Sequence, residues 1–392
     1  MSYYLRRHKR EHVILERSRV AERWRTERWD SLRYQFVNSS IELPGLSYRG
    51  SEPGGFAHHT AITKFIEDYA ARIAAPILQG TEVTGLQQGD ADRFLLEVGE
   101  RRMIADQVVI ATGPFQRPMI PAAGKGLPPS IYQVHASRYR GPGELPQGAV
   151  LVVGSGASGA QIAEELLEAG KDVHLSVSRH RRIPRRYRGV DVLWWFEKMG
   201  RLDVTIDSFP ERRYPPSTLV TGVNGGYDMN IRRFARDGGK VLGHLEGCAE
   251  GRLSIANDAA HILFEADKSN DDFISAAETW AASHQLADYI TDRDEPQIPI
   301  DAKIGSDTSL DLAAHNITSV IWGTGYLFDY NWLGLPVLDA RGVPHQKRGV
   351  TAIPGLYFLG LHWMHTFGSG LLSYVGRDAA YIAQHMDSAA VD

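Results

Sequence analysis

Short apolar runs alternate with helical patterns along most of the chain. The apolar runs are rich in β-branched residues and read HVILE, QVVIATG, AVLVVGSG, DVHLSVS, SVIWGTGY and GLYFLG. Segments with apolar residues at helical spacing lie between several of them, among them AITKFIEDYAARI and GAQIAEELLEAG. Strands that are apolar throughout and alternate with helices are typical of parallel sheets covered on both faces. The pattern therefore predicts an α/β fold built on parallel sheets.

The run AVLVVGSG leads into a glycine-rich turn and then into a helical pattern. In such a turn Gly154 would allow a tight bend, Gly156 a close approach to a pyrophosphate, and Gly159 close packing of helix against strand. The free amides at the start of the helix favour negative charge. The alternative is a glycine-rich turn without a ligand. We predict a dinucleotide cradle formed by Gly154, Ser155, Gly156, Ala157, Ser158 and Gly159.

The next apolar run, DVHLSVS, indicates which dinucleotide binds. An NAD site usually has an acidic residue about 20 residues past the glycines, where it binds the ribose hydroxyls. Here Ser178 is followed by Arg179, His180, Arg181 and Arg182. Hydroxyl and guanidinium groups suit a 2′-phosphate, whereas the alternative is a solvated turn. We predict NADPH as the coenzyme, with contacts from Ser178, Arg179 and Arg182.

Three further strand ends carry glycine and predict a second nucleotide site. QVVIATG ends at Thr112 and Gly113, SVIWGTGY contains Gly325, and GLYFLG ends at Gly360. Small residues at strand ends allow a cofactor to approach the backbone closely. HVILE also ends in an acidic residue, Glu16, as a ribose-binding strand does.

Together these motifs resemble the class B flavoprotein monooxygenases, which include the flavin-containing monooxygenases and their YUCCA-type relatives. The resemblance spans nearly the whole chain. It extends to RWRTERWDSLR, VNSSIEL, TEVTGL and GTGY. By this resemblance the FAD-binding residues are Glu16, Arg17, Trp24, Arg25, Val83, Thr112, Gly113, Gly325 and Gly360, and Asn38 lies at the reactive face of the flavin. The alternative is that Asn38 has only a structural role, as a turn-forming residue.

The resemblance implies two interleaved dinucleotide-binding (Rossmann-like) domains of the two-dinucleotide flavoprotein type. The FAD-binding domain would be discontinuous, comprising residues 1–140 and 330–392. The NADP-binding domain would comprise residues 141–329, and the Pro- and Gly-rich segment 139–148 would act as a linker.

The chain departs from the family pattern in two places. The fingerprint FxGxxxHxxxY keeps His135 and Tyr139, but Pro129 and Ile131 occupy its Phe and Gly positions. The first βα unit, with the glycine loop for FAD, would lie upstream of Met1. We expect that the chain starts about 15 residues late, the length of one such turn, and that it binds FAD poorly as written.

The resemblance also implies a reaction. NADPH would reduce FAD, and a C4a-(hydro)peroxyflavin would transfer one oxygen atom from O₂ to a small organic substrate. In this family the cofactors carry the chemistry, and the protein supplies position and a dry pocket. Asn38 would form a hydrogen bond near the flavin. The residues leave open an NADPH oxidase and an NADP-binding pseudoenzyme that has lost its FAD site.

Composition excludes some alternatives. The net charge of -4 argues against nucleic-acid binding, and the one dense basic run, SRHRRIPRRYR, needs a local explanation. No apolar run is long enough for a transmembrane helix. The single cysteine, Cys248, excludes the internal redox pair of a flavin disulfide reductase and fits the cytoplasm. The oligomeric state is left open, with a homodimer as one candidate. The tryptophans of DVLWWFEKMG are interpreted as domain packing.

Overall fold

The computed structural model describes residues 1–50, 52–208, 217–284 and 300–388. Its α-helices lie mainly where the apolar periodicity predicts them. They are α1 (Ser2–Arg7), α2 (Glu22–Thr26), α3 (His59–Arg72), α4 (Ala157–Glu168), α5 (Val192–Lys198), α6 (Ile231–Arg236), α7 (Ala259–Ser283) and α8 (Val375–Ser388).

The strands are short, and the six apolar runs of the sequence each contain one. In chain order they are β1 (Ile14–Glu16), β2 (Glu42–Leu43), β3 (Leu46–Ser47), β4 (Ile77–Gln79), β5 (Val83–Gln88), β6 (Phe94–Val98), β7 (Arg101–Ala105), β8 (Val108–Ile110), β9 (Arg117–Pro118), β10 (Tyr132–His135), β11 (Ala149–Val153), β12 (Val173–Ser176), β13 (Arg186–Tyr187), β14 (Val190–Asp191), β15 (Val220–Thr221), β16 (Tyr227–Asp228), β17 (Lys240–Leu242), β18 (Leu245–Ala249), β19 (Arg252–Ile255), β20 (Ser309–Asp311), β21 (Ile317–Trp322), β22 (Tyr326–Leu327) and β23 (Leu356–Phe358).

A five-stranded parallel sheet forms the centre of one half of the molecule. Its strand order is β10-β21-β11-β12-β17. Strand β11 is buried along its whole length, and α4 covers it with Ile162 and Leu166, both fully buried. Burial on both faces explains why β11 has an uninterrupted apolar sequence, AVLVV.

The other half contains two parallel strand pairs, β1–β4 and β8–β23, and the antiparallel sheet β5-β6-β7. Its core draws on both ends of the chain. Leu5 near the N-terminus packs in the same hydrophobic cluster as Phe94, Phe358 and Ile382, and Leu15 of β1 packs against that cluster. This shared core is what a discontinuous domain requires.

The predicted boundary between the two domains, at residues 140 and 141, stays a prediction. The pairing of β10 bears on where it lies. Strand β10 belongs by sequence to the segment 1–140, yet it pairs in parallel with β21 in the five-stranded sheet. The segment 139–148, predicted as a linker, follows directly after this strand and leads into β11.

Helix α7 is the main secondary-structure element that the sequence prediction underestimated. The sequence itself predicts only one helix in this region, around ISAAETWAASHQL, whose last residues lie outside the described ranges. The helix instead begins at Ala259 and runs for 25 residues. It packs against α5, where Trp195 is fully buried and its ring lies 6.1 Å from that of Trp280. The interpretation of these tryptophans as packing is therefore confirmed.

Candidate functional site

The glycine loop between β11 and α4 has the backbone geometry of a dinucleotide cradle. Gly154 has φ +98°, and a Cβ atom there would lie 2.7 Å from the carbonyl oxygen of Gly323. A Cβ atom on Gly159 would lie 1.8 Å from the carbonyl oxygen of Gly154. Both positions therefore accept only glycine without movement of the backbone.

The mouth of this loop is open. Gly156 caps α4 without a side-chain hydrogen bond to the first turn, which leaves the first amides of the helix available. Among the residues that the structure describes, a Cβ atom on Gly156 would meet only the Ser217 Oγ, at 3.7 Å. Ala157 and Ser158 begin the helix, and Ser158 is exposed. The loop thus offers unpaired donors and space to an anion.

Ser155 and Ser178 connect the loop to the end of β12. The fully buried Ser155 hydroxyl donates to the Ser178 carbonyl at 2.9 Å and accepts from the Ser178 amide at 2.9 Å. The ring nitrogen Nδ1 of His180 lies 3.0 Å from the same hydroxyl. The Ser155 side chain therefore has an internal role, and burial lowers the pKa of His180.

The predicted phosphate contacts Arg179 and Arg182 differ in their surroundings. Arg179 is exposed, and the described residues give its guanidinium no ion pair. Arg182 is largely buried and pairs with Asp228 at 3.5 Å and with Asp267 at 3.3 Å. Asp267 also pairs with Arg232 at 2.7 Å. These ion pairs leave less of the Arg182 charge for a phosphate, and its predicted contact with the coenzyme stays a prediction.

The predicted flavin-site strand ends meet through their neighbouring aromatic rings. The ring of Phe115, two residues after Gly113, lies 5.2 Å from Tyr326 and 5.3 Å from His362, which are adjacent to Gly325 and close to Gly360. Tyr326 also contacts His135 at 5.0 Å. Gly113 and Gly325 have φ +70° and +81°, with no atom within 4 Å of a Cβ position. Their backbones therefore face open space.

The two histidines of this ring cluster favour the neutral form. His135 is buried, with Nδ1 3.0 Å from the Ser137 hydroxyl and Nε2 3.0 Å from the Gly325 carbonyl oxygen. Burial lowers its pKa, and the bond to Gly325 partly offsets the shift. His362 is open to solvent on one side, yet the surrounding protein lowers its pKa as well.

Gln116 holds the strand end that carries Thr112 and Gly113. Its amide nitrogen donates to the Thr112 hydroxyl at 3.0 Å and to the Gly113 carbonyl at 2.8 Å. Its amide oxygen accepts from the backbone of Asp329 at 2.7 Å. This residue fixes the relation between two predicted cofactor segments, and the sequence prediction missed it.

The predicted ribose and adenine contacts lie on strands of the same half. Glu16 ends β1, and its carboxylate accepts from the Ser18 amide at 2.9 Å. Arg17 is exposed beside it. Val83 begins β5 and pairs with Val98.

Trp24 and Arg25, both predicted to bind FAD, have different surroundings in the structure. Arg25 forms an ion pair with Glu67 on α3, so its guanidinium is committed elsewhere. Arg28 instead lies over the Trp24 ring at 4.8 Å and is close enough to Tyr326 to interact with it electrostatically. Burial lowers the pKa of Arg28. The cation that lies over Trp24 is therefore Arg28, and the predicted FAD contact of Arg25 stays a prediction.

Asn38 is buried and has an unused hydrogen-bonding atom. Its Nδ2 donates to the Glu52 carbonyl at 2.8 Å, whereas its buried Oδ1 has no partner among the described residues. An unsatisfied buried amide oxygen costs about 1–3 kcal/mol, so this atom is available to a water molecule or to a ligand.

Three comparisons with known proteins agree with this geometry. The family described as pyridine nucleotide-disulphide oxidoreductase matches residues 1–190. The CzcO-like oxidoreductase of Geobacillus kaustophilus is 36% identical over 97% of this chain and 93% of its own length. The flavin-containing monooxygenase of Stenotrophomonas maltophilia has a TM-score of 0.66 at 17% identity, covering 99% of this chain and 94% of its own. OTEMO, solved in complex with FAD and NADP, has a TM-score of 0.55 at 14% identity, covering 99% and 83%.

The fold is that of the two-dinucleotide flavoproteins, as the sequence predicted. Within that class the chain is similar to the class B flavoprotein monooxygenases. The chain belongs to the family of CzcO-like oxidoreductases. None of the helices in the described ranges has the length and apolar composition needed to span a membrane.

Proposed function

We propose that this oxidoreductase is an NADPH- and FAD-dependent monooxygenase that inserts one oxygen atom from O₂ into a small organic substrate in the cytoplasm. The convergence of the strand ends at Gly113, Gly325 and Gly360 supports this proposal most strongly. The ring contacts of Phe115 with Tyr326 and His362 bring the three together at one place. Gly323, two residues before Gly325, also lies against Gly154 of the glycine loop. The two predicted nucleotide sites are therefore neighbours, as hydride transfer between them requires.

The glycine loop fits NADPH. Gly154 and Gly159 allow the close approach of β11 and α4, and the open mouth at Gly156 faces the free amides of α4. We assign the 2′-phosphate to Arg179 with Ser178, since ion pairs leave less of the Arg182 charge for a phosphate. The NADP-binding segment is residues 141–329, extended by β10 through its place in the sheet.

The residues of the other half fit FAD. Glu16 ends a parallel strand, where its carboxylate would accept the ribose hydroxyls. Arg28 lies over the Trp24 ring and is close enough to Tyr326 to interact with it electrostatically. The Oδ1 of Asn38, which has no partner among the described residues, would accept a hydrogen bond from the flavin or the substrate. When bound, NADPH supplies the hydride and FAD the oxygen chemistry. The neutral His135 and His362 would keep positive charge away from the reacting atoms.

One experiment separates this function from its alternatives. The purified protein is mixed with FAD, its flavin absorbance is recorded, and NADPH consumption is measured under air with simultaneous assay of hydrogen peroxide. A monooxygenase consumes NADPH and, with a substrate, releases less peroxide than NADPH consumed. An NADPH oxidase releases one molecule of hydrogen peroxide per NADPH consumed, whichever candidate substrate is added. Because weak FAD binding is expected of the chain as written, FAD is added in excess, and a pseudoenzyme is then recognised by the absence of NADPH consumption at every FAD concentration. Either this result or the peroxide yield of an oxidase would overturn the proposal.

A further inference from the structure

A cavity of about 450 Å³ lies along the outer edge of the five-stranded sheet. Strand β10 is the edge strand there, since it pairs with β21 on one side and with no strand of the described ranges on the other. All four residues of β10 line the cavity, together with Pro118, Ile120 and Arg138. Cavities that bind small molecules have volumes of about 300–1,000 Å³, so this one is large enough for such a ligand.

The walls of this cavity expose apolar surface. Ile120 is 52% exposed and Tyr132 is 40% exposed, although both side chains are large and mainly apolar. Pro118 and Val134 add further apolar surface to the same walls. Single exposed apolar side chains are common on proteins, whereas several that line one concave surface indicate a binding site.

The cavity carries one charge, which lies on Arg138. Among the described residues that line it there is no carboxylate, and His135 favours the neutral form because burial lowers its pKa. The amide of Arg138 donates to the His135 carbonyl at 2.8 Å, which fixes the backbone in a turn directly after β10. The Arg138 side chain is exposed, and its guanidinium has no ion pair or hydrogen bond with any described residue.

Many other arginines of this half have internal partners. Arg140, two residues after Arg138, donates to the carbonyls of Arg28 and Tyr139. Four of the six arginines in SRHRRIPRRYR are paired as well: Arg182 with Asp228 and Asp267, Arg185 with Asp191, Arg188 with Glu278, and Arg186 with the carbonyls of Gly225 and Gly226. Arg138, in contrast, offers its charge to the cavity that it lines.

Gln133 supplies a second hydrogen-bond donor to the cavity. Its Oε1 accepts from the indole nitrogen of Trp322 at 3.2 Å, which orients the side-chain amide. Its Nε2 has no partner among the described residues, and the residue lines the cavity on β10. A guanidinium and an amide donor suit a carboxylate, because hydrogen bonds between charged groups are stronger than those between neutral groups.

We propose that the cavity beside β10 binds an organic carboxylate with an apolar body, held by Arg138 and Gln133 against the apolar walls. The site goes beyond the proposed function, because its lining contains none of the residues assigned to binding FAD or NADPH. It adjoins the predicted flavin site through His135, whose Nε2 lies 3.0 Å from the Gly325 carbonyl oxygen and whose ring contacts Tyr326.

The test measures the binding of cinnamate, with neutral cinnamamide as the matched ligand, to the full chain by isothermal titration calorimetry. We expect cinnamate to bind more tightly than cinnamamide, and Arg138→Gln to weaken cinnamate by about tenfold or more without changing the affinity for the amide. Arg138→Lys keeps the charge and should retain part of the affinity. Arg117→Gln is the matched control, since Arg117 is an exposed arginine on β9 that does not line the cavity, and it should bind cinnamate as the wild type does.

A second variant, Ile120→Asp, tests the apolar wall and should also weaken cinnamate, because it places a negative charge beside the carboxylate. Both altered side chains are exposed, so the variants should keep the thermal midpoint of the wild type. Failure of cinnamate to bind, equal affinity for the acid and the amide, or unchanged binding in Arg138→Gln would overturn the proposal.

Two further results would assign the cavity to another ligand and overturn the proposal. Displacement of cinnamate by NADP⁺ would give Arg138 to the coenzyme. A dimer in sedimentation velocity that Ile120→Asp dissociates would show that a second copy of the chain covers the cavity. Absent NADPH consumption with normal cinnamate binding would contradict the proposed function but not this site.

Discussion

Two alanine substitutions three residues apart in the glycine loop should have different consequences. At Gly159 the new methyl group would lie 1.8 Å from the Gly154 carbonyl oxygen, a backbone atom that cannot rotate away. Helix α4 would have to retreat by about 1 Å, and overpacking of this kind costs about 1–3 kcal/mol. At Gly156 the one described atom that the methyl group would meet is the Ser217 hydroxyl at 3.7 Å, an ordinary contact, and φ is -69°.

We therefore expect Gly159→Ala to lower both the thermal midpoint and the affinity for NADP⁺. Gly156→Ala should leave the midpoint close to that of the wild type and still weaken NADP⁺ by about tenfold or more, because its methyl group occupies the space assigned to the pyrophosphate. Thermal unfolding monitored by circular dichroism and titration calorimetry with NADP⁺ measure the two quantities. If Gly156→Ala binds NADP⁺ as the wild type does, the loop is not the phosphate cradle.

Further predictions concern charges around the same sheet. Arg179→Ala should weaken the binding of NADPH about tenfold, the lower end for an exposed charge-assisted contact, and leave the binding of NADH nearly unchanged. The exposed control Arg236→Ala should change the affinity for neither coenzyme in fluorescence titrations. Equal weakening of both coenzymes by Arg179→Ala would refute the assignment. Burial raises the pKa of Glu164 to about 7, so the folded state holds a proton that the unfolded chain releases near pH 4.5, and this contribution to stability is lost as the pH rises through that window. Glu164→Gln should therefore gain stability relative to the wild type between pH 5 and 8, by about 1–3 kcal/mol in urea unfolding, and a constant difference would contradict this. Arg182→Ala should destabilise the fold by about 1–3 kcal/mol, because Asp228 and Asp267 lose a buried partner, and the ratio of NADPH to NADH affinity should not change.

The parallel sheet and the glycine loop could be predicted because their causes are local. Strand β11 is apolar at every position since both of its faces are buried, and that pattern is visible in five letters. The constraint on Gly159 likewise comes from the backbone five residues earlier. Features of this kind depend on a few neighbouring residues and are therefore legible in the sequence.

Helix α7 is an element whose full length could not be predicted from the sequence. Its buried positions follow helical spacing, but four of them are alanines and one is Asn270, so the apolar stripe is weak. Its burial depends on α5 and on the tryptophans there, which lie some 80 residues earlier in the chain. Tertiary packing therefore stabilises a helix that intrinsic propensity alone does not predict.

The surroundings of the site arginines likewise depend on residues that are distant in the sequence. Arg25 and Arg28 stand three residues apart, and only the position of Glu67 on α3 determines which of them is free to lie beside Trp24. The partners of Arg182 come from positions 228 and 267, far along the chain. A count of arginines in the basic run thus overstates the charge available to ligands. What indicates a ligand is the charge that remains after internal pairing, and for this run that charge lies on Arg179 and Arg181, on either side of the buried His180. Arg179 is exposed, as a side chain that binds a coenzyme phosphate at the mouth of the glycine loop needs to be.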